Sequence, residues 1–507
     1  MSAAPDPPLI PVRLHPLGQT VWVRPGTRLQ DALFGWGVEF PCGGRALCKR
    51  CRVRILEGSL PVTAEDAEAF TPLQLAQGWR LACRARVEQR LTLEMGQWEA
   101  AVLADDTPVS FTPAEGLGIA MDVGTTTLAA QLVNLRTGRV LAVRTALNPQ
   151  GAFGADVMSR VELALHREGA ARLREAIRGA LGRMAAQLCE AAQEPVRRVV
   201  LVGNTVMHHL FCGIDVAPLA QAPFQPERYG LEMFTSRELG WSLFGDPPVL
   251  FLPCLGGFVG SDVLAGLLAT RLLESERPAG LIDLGTNGEI VLGSKSGAIC
   301  ASAAAGPAFE GGRISCGMRA ATGAVAEVGL RDGRLECRVI GDVEPRGICG
   351  SGLVDAAAVG LELGLLNERG NLEAPGGVWQ LCSSVTLTQR DIRELQLAKA
   401  AIAAGVRILL GKLGASPDQL DRIYLAGAFG NYVNRTSARR IGLIRFPEER
   451  VVPAGNTALL GARLALFLID GESGEFMWAR RQVRHISLAA EPEFQEIFVE
   501  EMLFTPG

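Results

Sequence analysis

The chain has 507 residues, is 48% hydrophobic and 21% charged, and carries a formal net charge of −4. That length exceeds one hydrophobic core and implies two or three domains of ordinary globular composition. The weak acidity gives no reason to expect nucleic acid, and no run of about 18 apolar residues offers a membrane span. The opening Met1-Ser2-Ala3-Ala4-Pro5-Asp6 has neither the basic end nor the apolar core of a signal peptide, so the expected setting is the cytoplasm.

Val12–Leu14 and Thr20–Val23 alternate like a hairpin, and Arg28–Phe34 reads as a short helix. Three cysteines then fall within ten residues, Cys42-Gly43-Gly44-Arg45-Ala46-Leu47-Cys48-Lys49-Arg50-Cys51, and Cys83 follows after 31 more. Plant-type 2Fe–2S proteins use C-x4-C-x2-C with a distant fourth cysteine, and the present spacing has one more residue in the first interval. Two bridged irons need four thiolates in a small volume. A glycine-rich loop supplies three of them, and its backbone N–H groups can face the sulfurs. Cys42, Cys48, Cys51 and Cys83 are therefore the expected cluster ligands. Zinc knuckles favour two paired cysteine arms, and Cys83 stands alone. The strand leaving Cys51 and the closing strand Leu91–Met95 complete an order similar to the β-grasp ferredoxin fold. Residues 1–97 hold 12 Lys/Arg against 9 Asp/Glu. Arg45, Lys49, Arg50, Arg52 and Arg54 crowd the cysteines, which suits either a docking edge for an acidic partner or a solvated basic loop. The other eight cysteines lack ligand spacing and read as small core residues.

Residues 98–116 lack periodicity and read as a linker. Beyond it a theme repeats. Asp122-Val-Gly124-Thr125-Thr126-Thr127 and Asp283-Leu-Gly285-Thr286-Asn287-Gly288 each follow an apolar strand and precede a second one. They lie 161 residues apart, which implies a duplication into two lobes, 117–275 and 276–507. Gly124 and Gly285 allow close backbone approach to phosphate, and the Thr and Asn side chains offer donors. Asp122 and Asp283 stand at strand ends where carboxylates can hold hydrated Mg²⁺. Gly350-Ser351-Gly352 opens a helix whose N-terminus suits a phosphate or ribose. Arg422–Tyr432 reads as strand, glycine turn and helix, with Gly427, Gly430 and Asn431 in an adenosine loop. Helices are expected at Val157–Ala191, Ser261–Leu273, Thr388–Leu413 and Asn456–Leu468. Glu310 is a candidate for nucleotide or partner contact, Asp262 reads as a helix cap, and His208 and His209 read as packed histidines.

The predicted architecture is mixed α+β and α/β: a β-grasp ferredoxin domain (1–97), a linker (98–116) and a two-lobed actin-like ATPase domain (117–507). This combination resembles the reductive activators of corrinoid proteins. Further segments match that family: Asn148-Pro-Gln-Gly with Gly154-Ala-Asp156-Val-Met-Ser-Arg160, Gly203-Asn204-Thr205-Val-Met-His208-His209, Ala305–Gly311, Leu387–Lys399, Asn456–Ala462 and Glu491–Phe498.

The resemblance implies ATP-dependent transfer of an electron from the cluster to a Co(II) corrinoid protein, restoring Co(I) for methyl transfer. It also implies a low-potential electron donor and a homodimer. Plant-type clusters sit near −400 mV, and each ~100 mV of mismatch costs about 2.3 kcal/mol per electron. Nucleotide states that prefer one complex geometry can offset that cost. One departure is that longer members carry an extra small domain after the ferredoxin part, for which the linker here leaves no room. A small-molecule kinase with a redox-sensing ferredoxin domain is the alternative, and it needs a catalytic carboxylate beside a substrate pocket. A plain electron carrier would leave the two phosphate turns without purpose.

Overall fold

The computed structural model describes residues 8–15, 19–34, 46, 49, 51–95, 111–154, 156–190, 192, 194–285, 287–321, 323–340, 343–468 and 474–506. Cys42, Cys48, Thr286 and most of the expected linker lie outside these residues.

The first sheet has five strands in the order Gln19–Val23, Ile10–His15, Leu91–Met95, Arg52–Glu57, Trp79–Leu81. Ile10–His15 and Leu91–Met95 run parallel, and the other pairs are antiparallel. Alternation sets the faces: Val12, Leu14, Val53, Leu91 and Leu93 are fully buried, whereas Arg13 and Trp22 are exposed. Helix Leu29–Phe34 covers the sheet with Leu29 and Leu33. This is the expected β-grasp domain.

Two six-stranded sheets follow. The first runs Val140–Leu147, Thr127–Asn134, Leu117–Val123, Val196–Val202, Pro248–Phe251, Glu232–Thr235. The second runs Val451–Gly455, Ile423–Ala426, Ala279–Leu284, Gly288–Ser294, Gly297–Ala303, Val483–His485. In both, a three-strand antiparallel meander is extended by two parallel strands beside its first member. The duplication inferred from the repeated turns is therefore present in the strand order. The sheets differ at one strand each: Glu232–Thr235 adds antiparallel to Pro248–Phe251, whereas Val483–His485 adds parallel to Gly297–Ala303.

The helix expected over 157–191 is two helices, Val157–Ala164 and Arg167–Cys189. The chain bends sharply at Leu165-His166, and Gly169 packs so close that a Cβ there would lie 2.2 Å from the Leu163 carbonyl oxygen. Hydrophobic periodicity alone runs through such a bend unbroken. Helices Ser261–Thr270 and Thr457–Leu468 cross between the lobes. A Cβ on Gly461 would sit 2.0 Å from the Ala265 carbonyl oxygen, so only glycine permits this crossing.

The candidate nucleotide cleft and cluster site

Asp122 closes strand Leu117–Val123 and Asp283 lies near the end of Ala279–Leu284, so the equivalent strands bring both turns to one cleft. The first turn is held from outside. The Asn148 side-chain amide donates to the Gly124 carbonyl at 2.9 Å, and Asn148 N–H donates to the Thr126 carbonyl at 2.9 Å. Arg160, only 1% exposed, donates from Nη2 to the Thr125 carbonyl at 2.7 Å and from Nε to Gly154 at 2.8 Å. Asn204 donates to Thr125 Oγ1 at 2.9 Å. A Cβ on Gly124 would lie 2.5 Å from the Thr127 carbonyl oxygen, so this position is restricted to glycine. Thr127 is exposed at the head of strand Thr127–Asn134.

The second turn is bounded by acidic groups. Asp283 pairs across the sheet with Glu289, and Asp262 begins the crossing helix opposite them. Burial is the largest cause of a raised pKa at all four carboxylates. Asp122 is pushed up to about 6, with the Asn456 amide at 3.1 Å opposing the shift. Asp283 reaches about 7, with the charge of Asp122 adding to burial. Asp262 reaches about 8, with Asp283 and Asp122 adding to burial. Glu289 is raised well above the usual range by burial and then by Asp262 and Asp283. Such a cluster binds protons or a cation. Among the described residues no three His, Cys, Asp or Glu side chains converge as direct metal ligands. That donor set fits a hydrated Mg²⁺, which keeps several of its waters.

Gly285 leaves open space, its nearest neighbour to a Cβ being the Asn287 carbonyl oxygen at 3.5 Å. Gly427 has φ +80°, and a Cβ there would lie 2.5 Å from Asp283 Oδ1, so the adenosine-loop candidate presses directly on the acidic cluster. Gly430 follows within helix Gly427–Tyr432, while the Asn431 side chain lies outside the described set. Glu310 reaches across the cleft from the turn Pro307–Glu310 and accepts from Thr126 Oγ1 at 3.4 Å.

Other candidates take different places. A Cβ on Gly288 would strike Ile402, one on Gly350 the Phe309 carbonyl, and one on Gly352 the Val325 carbonyl. Close packing restricts these three positions to small residues. Ser351 donates its hydroxyl to the Ala326 carbonyl at 2.8 Å. Asp262, expected as a cap, faces the other carboxylates, and Gly260 holds the N-cap position. His208 and His209 are buried against the Gly230 and Thr205 carbonyls, with pKa values lowered to about 3 and 4 chiefly by burial. They are neutral core histidines. Sequence reasoning gave no role to Glu289, Asn148, Arg160 or Asn204. A glutamate on an otherwise apolar strand was the available signal for the first, because buried glutamates need a partner.

In the ferredoxin domain, Cys51 and Cys83 are 1% and 7% exposed. Ala82 N–H donates to the Cys51 carbonyl at 2.8 Å, joining the two cysteine-bearing segments. Asp66, itself buried, accepts from Leu81 N–H at 2.7 Å and braces the turn that carries Cys83. Ala46 and Lys49 adopt positive φ of 62° and 53°, a conformation that residues with a Cβ hold only under tertiary constraint. Two buried thiols beside a constrained loop fit half of a four-thiolate donor set. The described basic residues near the cysteines are occupied: Arg52 lies over Phe70, Arg54 over Trp79 and against Glu94, and Lys49 donates to the Glu68 carbonyl.

Comparison with known proteins places these parts. Residues 12–88 match the 2Fe-2S iron-sulfur cluster binding domain, 117–275 the RACo middle region, and 278–506 the C-terminal ASKHA domain of RACo. The corrinoid activation enzyme RamQ of Eubacterium limosum is 36% identical over 427 residues, covering 76% of this chain and 70% of the relative. A Co(II) methylated amine-specific corrinoid protein reductase of Methanosarcina barkeri is 29% identical over 421 residues, covering 76% and 77%. A solved structure of a reductive activator for a corrinoid, iron-sulfur protein matches with a TM-score of 0.70 and 26% identity over 98% of both chains. The chain belongs to the family of reductive activators of corrinoid proteins, with a ferredoxin-type domain preceding an actin-like ATPase domain.

Proposed function

We propose that this protein is an ATP-dependent activase that returns a Co(II) corrinoid protein to Co(I) for methyl transfer. The carrying observation is the enclosed group of four carboxylates between two matching turns, on the same chain as the buried Cys51 and Cys83, whose segments the Ala82–Cys51 hydrogen bond joins. Cys42, Cys48, Cys51 and Cys83 would hold the 2Fe–2S cluster, which supplies one-electron transfer from a low-potential donor to cobalt. Asp122 and Asp283 would hold a hydrated Mg²⁺, which would supply positive charge to the phosphates. Thr125, Thr126, Thr127 and Asn287, with Thr286 of the same turn, would donate toward phosphate, and Gly285 leaves room for it. Gly427, Gly430 and Asn431 form the adenosine side. Glu310 meets Thr126 across the cleft and is placed to register whether phosphate has entered.

ATP acts here through differential binding. A nucleotide that favours one lobe arrangement shifts the electron-transfer equilibrium only by its difference in affinity between arrangements. No covalent phosphorylation of cobalt or corrin is required. The relatives are named as corrinoid activators and reductases, and the small-molecule kinase alternative is not favoured. A cytoplasmic setting suits twelve cysteines without a disulfide framework. No helix among the described residues is long and apolar enough to cross a membrane. A homodimer completes the reading.

The test is anaerobic and spectroscopic. The reconstituted, reduced protein is mixed with a Co(II) corrinoid protein with and without MgATP, and the Co(I) absorbance band is followed. ATP-dependent Co(I) is the expected result. Steady ATP turnover on a small metabolite, with no Co(I) from several corrinoid partners, would overturn the proposal.

A further inference from the structure

The ferredoxin domain touches both ATPase lobes through charged contacts, one from helix Leu29–Phe34 and one from strand Leu91–Met95. Helix Leu29–Phe34 leads into the segment carrying Cys42 and Cys48, and Asp31 on it pairs with Arg338 at 3.3 Å. The Asp31 side chain is 1% exposed and that of Arg338 16%, and Arg338 is steadied by Glu327 at 2.9 Å. Strand Arg52–Glu57 leaves the loop at Cys51. Its Arg54 pairs with Glu94 at 2.5 Å, and Glu94 pairs in turn with Arg139 at 2.8 Å. Arg338 belongs to the second lobe and Arg139 to the first.

Each anchor leads back to the nucleotide cleft. Arg139 lies in the turn ending strand Thr127–Asn134, whose other end is the first phosphate turn. A strand of that length is a stiff connection of about 25 Å. On the other side, a cavity of about 20 Å³ is lined by Gln30, Glu327, Arg338, Ser351 and Tyr432. Tyr432 ends the helix that begins at Gly427, where the chain presses on Asp283. Gln30, next to Asp31, is only 2% exposed.

We infer that the ferredoxin domain is held astride the two lobes by Glu94–Arg139 and Asp31–Arg338, so that a change in lobe separation at the cleft re-aims the domain and the buried Cys51 and Cys83 it carries. Arg139 and Arg338 are positioning residues in this scheme. The inference rests on the ATP-dependent reading above and deepens it by naming the coupling contacts. Movement of one lobe against the other cannot leave both ion pairs and the ferredoxin orientation unchanged together.

The test uses the full chain with its cluster oxidised and spin labels introduced as unnatural amino acids at exposed Leu73 and Phe244. Pulsed electron resonance measures the distance distribution with and without a non-hydrolysable MgATP analogue. The expected result is a nucleotide-dependent shift in the unsubstituted protein that falls at least fourfold in Arg139→Ala and in Arg338→Asp. Asp31→Arg added to Arg338→Asp restores it. In parallel, both single variants keep ATP turnover within twofold while ATP stimulation of Co(I) formation drops at least fivefold. An unsubstituted protein whose distances ignore nucleotide, or variants that shift as it does, would overturn the inference. Failure of the unsubstituted protein to make Co(I) would instead count against the functional reading, because the distance measurement stands without it.

Discussion

The two lobes carry the same Asp-x-Gly-Thr turn on sheets of the same strand order, yet they hold it by opposite means. The first turn is fixed by hydrogen bonds from Asn148, Arg160 and Asn204, and its Asp122 is met by the Asn456 amide. The second places Asp283 against Glu289 and Asp262, with Gly427 pressed onto it. Duplication supplied one geometry twice, and divergence made one copy a rigid cradle and the other an electrostatically loaded wall. A loaded wall gains most from a bound cation. A rigid cradle spends little ordering entropy when phosphate arrives.

The largest expected effect lies outside both lobes and separates them from the ferredoxin domain. Cys83→Ser should abolish the reconstituted cluster, read as loss of visible absorbance and of stoichiometric iron, while ATP turnover remains. Between the lobes, Asp283→Asn should lower ATP turnover on the order of 100-fold. It should also raise the melting temperature of the nucleotide-free protein by about 3 °C, because a like charge is removed from the cluster. Asp122→Asn should raise that temperature less, since Asn456 already compensates its charge. Equal effects at both positions would erase the distinction between cradle and wall.

Arg160→Ala tests the cradle. It removes the hydrogen bonds to the Thr125 and Gly154 carbonyls and to Gln150 Oε1 from a buried site, and denaturant titration should show a loss of about 3 kcal/mol. The affinity for ATP should weaken more than turnover.

The wall should also show in pH dependence. Asp122, Asp283 and Asp262 have folded pKa values of about 6, 7 and 8, against 3.8 for an ordinary aspartate. Between those limits the folded protein binds more protons than the unfolded chain, so stability falls as pH rises. The nucleotide-free melting temperature should therefore decline from about pH 5 to about pH 8. Saturating MgATP should flatten the decline, as should Asp262→Asn. The smallest effect is expected from Thr126→Ala, whose contact with Glu310 is long at 3.4 Å. Its loss should cost less than about 1 kcal/mol in stability, measured in the same titration.

Much of this molecule was legible before folding because its signals are local. Cysteine spacing, the alternation at Val12 and Leu14, and the two strand–turn–strand repeats each sit within a short stretch of chain. The long helix Gln389–Leu413 declared itself through its apolar period, and the structure adds a Thr388–Asp391 capping box at its start. What misled was also local. The apolar period of residues 157–191 hid a bend that depends on Gly169 meeting Leu163. Gly288, Gly350 and Gly352 were read from their turns alone, and their close neighbours Ile402, Phe309 and Val325 are distant in sequence or on other elements.

The sequence by itself determined the domain order, the duplication and the chemical classes of the sites, because each is written in the spacing of residues along one strand, turn or loop. Only the tertiary structure decided that Asp262 and Glu289 join the two repeated aspartates, that Asn456 of one lobe reaches Asp122 of the other, and that the ferredoxin domain contacts both lobes. The physical reason is that charge interaction and desolvation depend on distance in space. A carboxylate's partners are fixed only when the strands and crossing helices that carry them have packed.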